Sequence, residues 1–178
     1  DVDLQTDPLG GQLAYTYDAA GNQLSDTDQN GHTTRFVYDE NDRVTLQTDP
    51  LDGERSFTYD KVGNRIAATD ERGHTTTYTY DEKNRLTEQI DPLGGKRRFI
   101  YDPAGNRLKL IDENDHAISF AYDANNRLVS QTDALGKAQT FIYDGVGNQL
   151  TTTDEGGRTT LYTYDANDRL TQQVDALG

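Results

Sequence analysis

An all-β fold, an antiparallel hairpin meander of about sixteen short strands, is what this sequence predicts. Three observations carry the expectation. A Tyr-Asp pair recurs at constant spacing, at Tyr17, Tyr38, Tyr59, Tyr80, Tyr101, Tyr122, Tyr143 and Tyr164, and such internal repetition marks stacked or wound supersecondary units. Turn signals arrive alternately every 10 and 11 residues, which leaves no room for helices of the usual ~11–12 residues. The stretches between turns, such as Thr33 to Tyr38 and Thr75 to Tyr80, are rich in Thr, Val, Ile and aromatic residues, which suit strands.

The turns come first because they set everything else. Eight Asp residues follow the tyrosines: Asp18, Asp39, Asp60, Asp81, Asp102, Asp123, Asp144 and Asp165. Nine more lie in a second column from Asp7 to Asp175. Each begins an Asp-x-x-(Gly/Asn/Asp) tetrad, whose fourth residue is a type that tolerates the left-handed backbone conformation. All four prolines take the second place, where a preset φ favours a type I turn. The expected closure is a type I turn followed by a left-handed residue.

A 42-residue super-repeat overlies the 21-residue one. Tyr-Asp-x-x-Gly-Asn-(Arg/Gln)-(Leu/Ile), with Gly21, Gly63, Gly105 and Gly147, alternates with Tyr-Asp-x-x-(Asp/Asn)-Arg-(Leu/Val), which reads as one residue shorter. The extra residue is then Asn22, Asn64, Asn106 or Asn148, and a bulge next to the glycine is expected to absorb it. That alignment puts Arg or Gln opposite Tyr in both repeat types. All sixteen aromatics fall on the Tyr of Tyr-Asp or two residues before it, hence on one face of a sheet. Arg43, Arg65, Arg85, Arg107, Arg127 and Arg169 are expected between the tyrosines, where a stacked Arg contributes roughly 0.5–2 kcal/mol. Val37, Ile100 and Ile142, with Leu24, Val44, Ile66, Leu86, Leu108, Leu128, Leu150 and Leu170, are expected on the other face.

Composition narrows function. The net charge of −14 is mostly turn chemistry: outside the two Asp columns, 14 acids face 17 Lys and Arg. An acidic chain does not suit nucleic acid, which selects basic surfaces. Without Cys, disulfide and thiolate-metal frameworks are excluded. No apolar run approaches the ~20 residues of a membrane span. His32, His74 and His116 share one phase of the super-repeat, so that neighbours stand about 19 Å apart over four strands. That is too far for one metal, and they read as turn-flanking residues. Asp26-x-Asp28-x-Asn30-Gly31 imitates an EF-hand loop, but Val37 stands where its Glu belongs. Ser25, Ser56, Ser119 and Ser130 share no phase and no His partner. No catalytic, cofactor or metal residues are therefore assigned. Tyrosines flanked by Asn, Asp and Arg suggest a second reading, stacking against sugar rings.

The Tyr-Asp-x-x-Gly-(Asn)-Arg-Leu unit, repeated in phase along the whole chain, resembles the YD repeats of the RHS (rearrangement hot spot) family. That family includes bacterial polymorphic toxins, shells of insecticidal toxin complexes, wall-associated proteins and teneurin-like proteins. The resemblance implies a hairpin array that forms the wall of a hollow shell, commonly around a C-terminal toxin, in a secreted or cell-surface protein. It assigns a structural role to the Tyr-Asp pairs, to Gly21, Gly63, Gly105 and Gly147, and to Arg65, Arg85, Arg107, Arg127 and Arg169.

Residues 1–178 read as a single array, starting in mid-repeat like a window on a longer protein. Its expected partners are more repeats of the parent chain or further copies of itself, an enclosed toxin and, on the second reading, glycans in an adhesion module. A parallel β-solenoid with one coil per Tyr-Asp repeat is the competing architecture.

Overall fold

A computed structural model describes residues 2–6, 8 and 11–177. Seventeen β-strands appear among the described residues, and no helix. They group into two units, one ending at Gly94 and one beginning at Gly95. The first holds β1 (Val2–Thr6), β2 (Gln12–Tyr17), β3 (Gln23–Thr27), β4 (Thr33–Tyr38), β5 (Val44–Thr48), β6 (Glu54–Tyr59), β7 (Arg65–Thr69), β8 (Thr75–Tyr80) and β9 (Leu86–Ile90). The second holds β10 (Lys96–Tyr101), β11 (Arg107–Ile111), β12 (Ala117–Tyr122), β13 (Leu128–Thr132), β14 (Ala138–Tyr143), β15 (Gln149–Thr153), β16 (Thr159–Tyr164) and β17 (Leu170–Val174). Within each unit every strand pairs antiparallel with the next in sequence. The meander is therefore the architecture, and the parallel solenoid is not. One strand is added to the expected number by the short Val2–Thr6 segment.

Both columns of turns close in the same way. In the turn after Tyr17, the Gly21 amide donates to the Asp18 carbonyl at 3.3 Å and the Asp18 amide to the Asn22 carbonyl at 3.0 Å. In the turn at Asp39, the Asp42 amide reaches the Asp39 carbonyl at 3.1 Å and the Asp39 amide the Arg43 carbonyl at 2.9 Å. The fourth residue is left-handed in either chemistry: Gly63 has φ +102°, Gly147 φ +112°, Asp42 φ +59° and Asn84 φ +60°. Gly10 and Gly178, which carry the same expectation, lie outside the described residues.

This identity of the two turns corrects the expected alignment. Gly-Asn and Asp-Arg occupy the same backbone places, so neither repeat type is shorter at the turn. Tyr17 pairs with Gln23 and Tyr59 with Arg65, but Tyr38 pairs with Val44 and Tyr80 with Leu86. Val44, Leu86, Leu128 and Leu170 thus sit opposite tyrosines, on the aromatic face. Arg43, the counterpart of Asn22, is the fifth residue of its turn and not a strand partner of Tyr38. A bulge does occur, one step into the returning strand. Thr16 faces Ser25 while Tyr17 faces Gln23, so Leu24 is the extra residue. Thr45 is extra in the next hairpin, and the irregularity recurs in every Tyr-Asp hairpin of both types whose pairing is described. Where the extra residue is Thr45 or Thr87, its hydroxyl donates to the carbonyl of Val37 or Thr79, at 3.2 and 3.0 Å.

No described residue is fully buried. The aromatic face is half-covered by its own side chains, whereas Val37 and Ile142 on the other face are exposed by 51% and 57%. Among the described residues no sealed core forms, so what holds them together is ladder hydrogen bonds, cross-strand pairs and the turns.

The turn geometry yields a prediction. Gly63→Ala places an L side chain at φ +102° and is expected to cost about 1–2 kcal/mol. Asp52→Gly, at φ +62°, should stay within roughly 0.5 kcal/mol of the parent. Urea midpoints at unchanged m-value check both.

Candidate functional site

The residues singled out by the sequence meet along the line of Tyr-Asp turns, and each turn is built around the carboxylate that opens it. Asp60 is representative. Its Oδ1 accepts the amides of Val62 at 3.0 Å and Asn64 at 2.9 Å, and its Oδ2 accepts Asn64 Nδ2 at 2.9 Å. Asp18, Asp102 and Asp144 likewise bind the amide and side chain of Asn22, Asn106 and Asn148. In the alternate turns Arg43, Arg85, Arg127 and Arg169 take the Asn place, each donating Nε to its own Asp at 2.7–2.8 Å. Alternate turns of the second column follow suit: His32, His74 and His116 hold Asp28, Asp70 and Asp112 through Nδ1 at 2.9, 3.2 and 3.2 Å. The histidines are fifth turn residues. In the EF-hand-like stretch, Asp28 is committed to the Asn30 and His32 amides.

These contacts act on the acids. The Asn side chain, followed by backbone donors, holds Asp18 below the usual carboxylate range. Asn64 and Asn106 are the leading cause for Asp60 and Asp102, and Arg43 and Arg169 for Asp39 and Asp165. For Asp28, Asp70, Asp81, Asp123 and Asp154 the fifth residue's amide leads. At Asp112 and Asp144 partial burial is the largest single effect and pushes upward, but the hydrogen bonds together outweigh it.

The fifth residue also reaches the next turn, and this explains the super-repeat. Asn22 Nδ2 donates to Asp42 Oδ1 at 2.7 Å, and Asn64 Nδ2 to Asn84 Oδ1 at 3.0 Å. In the second unit Asn106 and Asn148 reach Asn126 and Asp168 at 2.7 and 2.8 Å. The arginine turns donate differently. Arg43 Nη1 reaches the Asp60 carbonyl at 2.9 Å with its guanidinium 4.7 Å from the Tyr59 ring centre. Arg127 does the same at Asp144 and Tyr143, at 2.8 and 4.8 Å. An Asn donor is followed by a left-handed Asp or Asn that supplies a side-chain acceptor. An Arg donor is followed by a left-handed Gly, whose missing Cβ would stand 3.8 Å from the guanidinium at Gly63 and Gly147. Arg65, on a strand, instead lies 5.5 Å from both Phe57 and Tyr78, and Arg107 lies 5.0 Å from Phe120.

Tyrosine hydroxyls join one hairpin to the next. The ladder between β3 and β4 ends at Ser25–Arg35, and beyond it the Tyr38 hydroxyl donates to the Gln23 carbonyl at 2.8 Å. Tyr59, Tyr80, Tyr122, Tyr143 and Tyr164 donate in the same way to Val44, Arg65, Arg107, Leu128 and Gln149, at 2.9–3.2 Å. Burial and then the charge of Asp18 push the Tyr38 phenol up. Tyr17 and Tyr101 also have partners.

Sequence reasoning missed the leucines at the third place of alternate turns in the second column. Leu51, Leu93, Leu135 and Leu177 are 83–97% exposed. A shallow groove of about 380 Å³ runs beneath Leu135, between Leu110, Ile118 and His116. Its counterpart one super-repeat on, about 330 Å³ under Leu177, is lined by Thr152, Thr160 and Arg158. The repeated Asp-(Pro/Ala)-Leu spacing was the available signal.

The family model described as RHS Repeat matches residues 17–54, 38–75, 59–96, 80–117, 122–159 and 143–178. The chain belongs to the RHS repeat family. No match was found among curated proteins. Among solved structures the RHS chain resembles TcdB2-TccC3 at a TM-score of 0.69 and 21% identity, over 93% of this chain and 10% of that one. TcdB2-TccC3 without its hypervariable C-terminal region gives 0.70 and 21%, again over 93% and 10%. A Photorhabdus luminescens Tc holotoxin pore gives 0.64 and 18%, over 91% and 12%. At these identities the likeness is one of fold, and the chain spans about a tenth of the length of these structures.

The RHS turn network can be tested at a tyrosine and at an acid. Tyr59→Phe leaves the Val44 carbonyl without its donor and should destabilise by about 1–2 kcal/mol, read as a lower denaturation midpoint. The second test concerns pH. Because the turn carboxylates have lowered native pKa values, their stabilisation is complete above the ordinary Asp value of about 3.9 and is lost as pH falls through the native values. Acid unfolding should therefore begin below about pH 4. Asn64→Ala should raise the Asp60 pKa in an NMR carboxylate titration.

Proposed function

We propose that this RHS array is a structural, non-enzymatic stretch of wall, one segment of a longer chain that builds a secreted or cell-surface shell. The observation that carries the reading is the use of polar groups. The turn Asp side chains, the fifth-place Asn, Arg and His, and the tyrosine hydroxyls bind one another or backbone. A wall needs such mutual satisfaction, whereas a catalytic constellation needs a positioned group left free to act. The family match and the fold shared with TcdB2-TccC3 support a toxin-related setting, in which the enclosed partner is a C-terminal toxin domain and the neighbours are further repeats. The glycan reading draws no support from the tyrosines: their hydroxyls serve backbone carbonyls, and Tyr59 and Tyr143 lie beneath arginines.

Limited proteolysis of the complete parent protein tests the wall. The segment that the repeats enclose should resist protease at neutral pH and become cleavable when acid opens the array. Digestion of that segment at neutral pH while the repeats stay intact would overturn enclosure.

A further inference from the structure

The groove beneath Leu135 departs from its own repeat. It is lined by the cross-strand pair Leu110 and Ile118, on the face that carries Phe99, the partner of Leu110 in the preceding hairpin. The same place in the other super-repeats holds Asp26 with Thr34, Ala68 with Thr76, and Thr152 with Thr160. A leucine stands in the following turn each time, at Leu51, Leu93, Leu135 and Leu177. Only here are both strand residues large and aliphatic. The sheet does not require the change, because the polar pairs hold the same register. With Ala134 and Leu135, itself 83% exposed, the pair leaves an apolar cleft of about 380 Å³ open to solvent. Contiguous apolar surface of this kind marks an interaction site.

We propose that this groove docks a partner polypeptide through one large apolar side chain standing next to an arginine or lysine. The anchor follows from shape. A free small ligand is held by burial on most sides, which a shallow groove does not offer, whereas a side chain delivered on its own backbone is a common interface anchor. The cation follows from the two carboxylates in the lining. Asp112 is engaged at both oxygens: Oδ1 accepts the Asn114 and His116 amides, and Oδ2 meets His116 Nδ1. Asp133 is not. Its Oδ1 accepts the Leu135 and Lys137 amides at 2.9 and 2.8 Å, and among the described residues no donor reaches its Oδ2. Lys137 is the fifth residue of that turn, yet it supplies only its amide, where His116 and Arg158 clamp their acids with side chains. A half-covered carboxylate beside an apolar cleft, on a chain of net charge −14, favours a cation beside the anchor and rejects an anion.

The test is an NMR titration of the whole chain at neutral pH, read at leucine and isoleucine methyl groups. The probe is the capped peptide Gly-Phe-Arg-Gly, with Gly-Phe-Glu-Gly and Gly-Ala-Arg-Gly as controls. The first peptide should shift the methyls of Leu110, Ile118 and Leu135 saturably and leave those of Leu177 in place, and both controls should bind more weakly. Leu110→Thr with Ile118→Thr copies the pair found at Thr152 and Thr160, so it keeps the fold, which unchanged amide shifts in β14–β16 verify. That variant should weaken binding at least about tenfold. Asp133→Asn retains the Oδ1 acceptor of the turn and should weaken binding about threefold while removing the preference for Arg over Glu. Absence of methyl shifts at millimolar peptide overturns the proposal, as do equal binding of the Glu peptide, equal shifts at Leu177, or undiminished binding in the Thr variant. Shifts of the same methyls that grow with protein concentration in the absence of peptide also overturn it, because the groove would then belong to a second copy. None of these outcomes depends on whether the parent chain encloses anything, which the proteolysis experiment decides separately.

Discussion

Everything in this array depends on the bond between the carboxylate that opens a turn and the residue four places on. A hairpin with no sealed core behind it must hold its own reversal, and a free carboxylate on an acidic surface would work against it. Binding both the amide and the side chain of the fifth residue turns that acid into a clamp. The turn is fixed in a left-handed closure, and the fifth side chain is pinned where its remaining donors face the next turn. One interaction therefore closes a hairpin locally and sets up a longer-range contact. The super-repeat follows from the need to match donor and acceptor in neighbouring turns, since Asn and Arg require different recipients.

The tyrosines solve a related problem. A bulge in every Tyr-Asp hairpin ends the ladder to the next hairpin early and leaves a carbonyl without an amide opposite it. Buried or half-buried carbonyls are costly to leave unpaired. The phenol supplies the missing donor while its ring covers the face that would otherwise be open. The aromatic place two residues earlier accepts Phe as well as Tyr; there Phe36 pairs with Gln47 and Phe57 with Ala68 within their own hairpins.

Most of the architecture was legible because turn chemistry is local. Asp at the head and Gly, Asn or Asp at the fourth place state the closure without reference to anything distant, and the strand spacing follows. The alignment of the two repeat types was misread because Arg43 and Arg65 were aligned by residue identity, although they do different tasks. Arg43 is a turn residue that caps an acid, and Arg65 is a strand residue between rings. A sequence shows that both are arginines; only the register shows that Arg43 matches Asn22. The contacts between successive turns, 17 and 20 residues apart, were hidden for another reason. They depend on how adjacent hairpins are offset, which strand periodicity does not specify. The perfect alternation of Gly-Asn with Asp-Arg or Asn-Arg was nevertheless present as a signal.

That alternation carries a consequence for how such arrays assemble. With only two classes of hairpin, each able to greet the other across a turn, neighbouring repeats are chosen by complementarity and not by a unique interface. Insertion or loss of a whole super-repeat preserves every donor–acceptor match. A change by a single Tyr-Asp repeat places two like turns side by side, for instance an Asn donor facing a glycine that has no side-chain acceptor. Repeat arrays of this design can therefore vary in length by whole super-repeats at little energetic cost, while half-steps are penalised at one identifiable junction. The stability of the wall is then additive over junctions, and its weakest points are places where the fifth-place donor meets the wrong class.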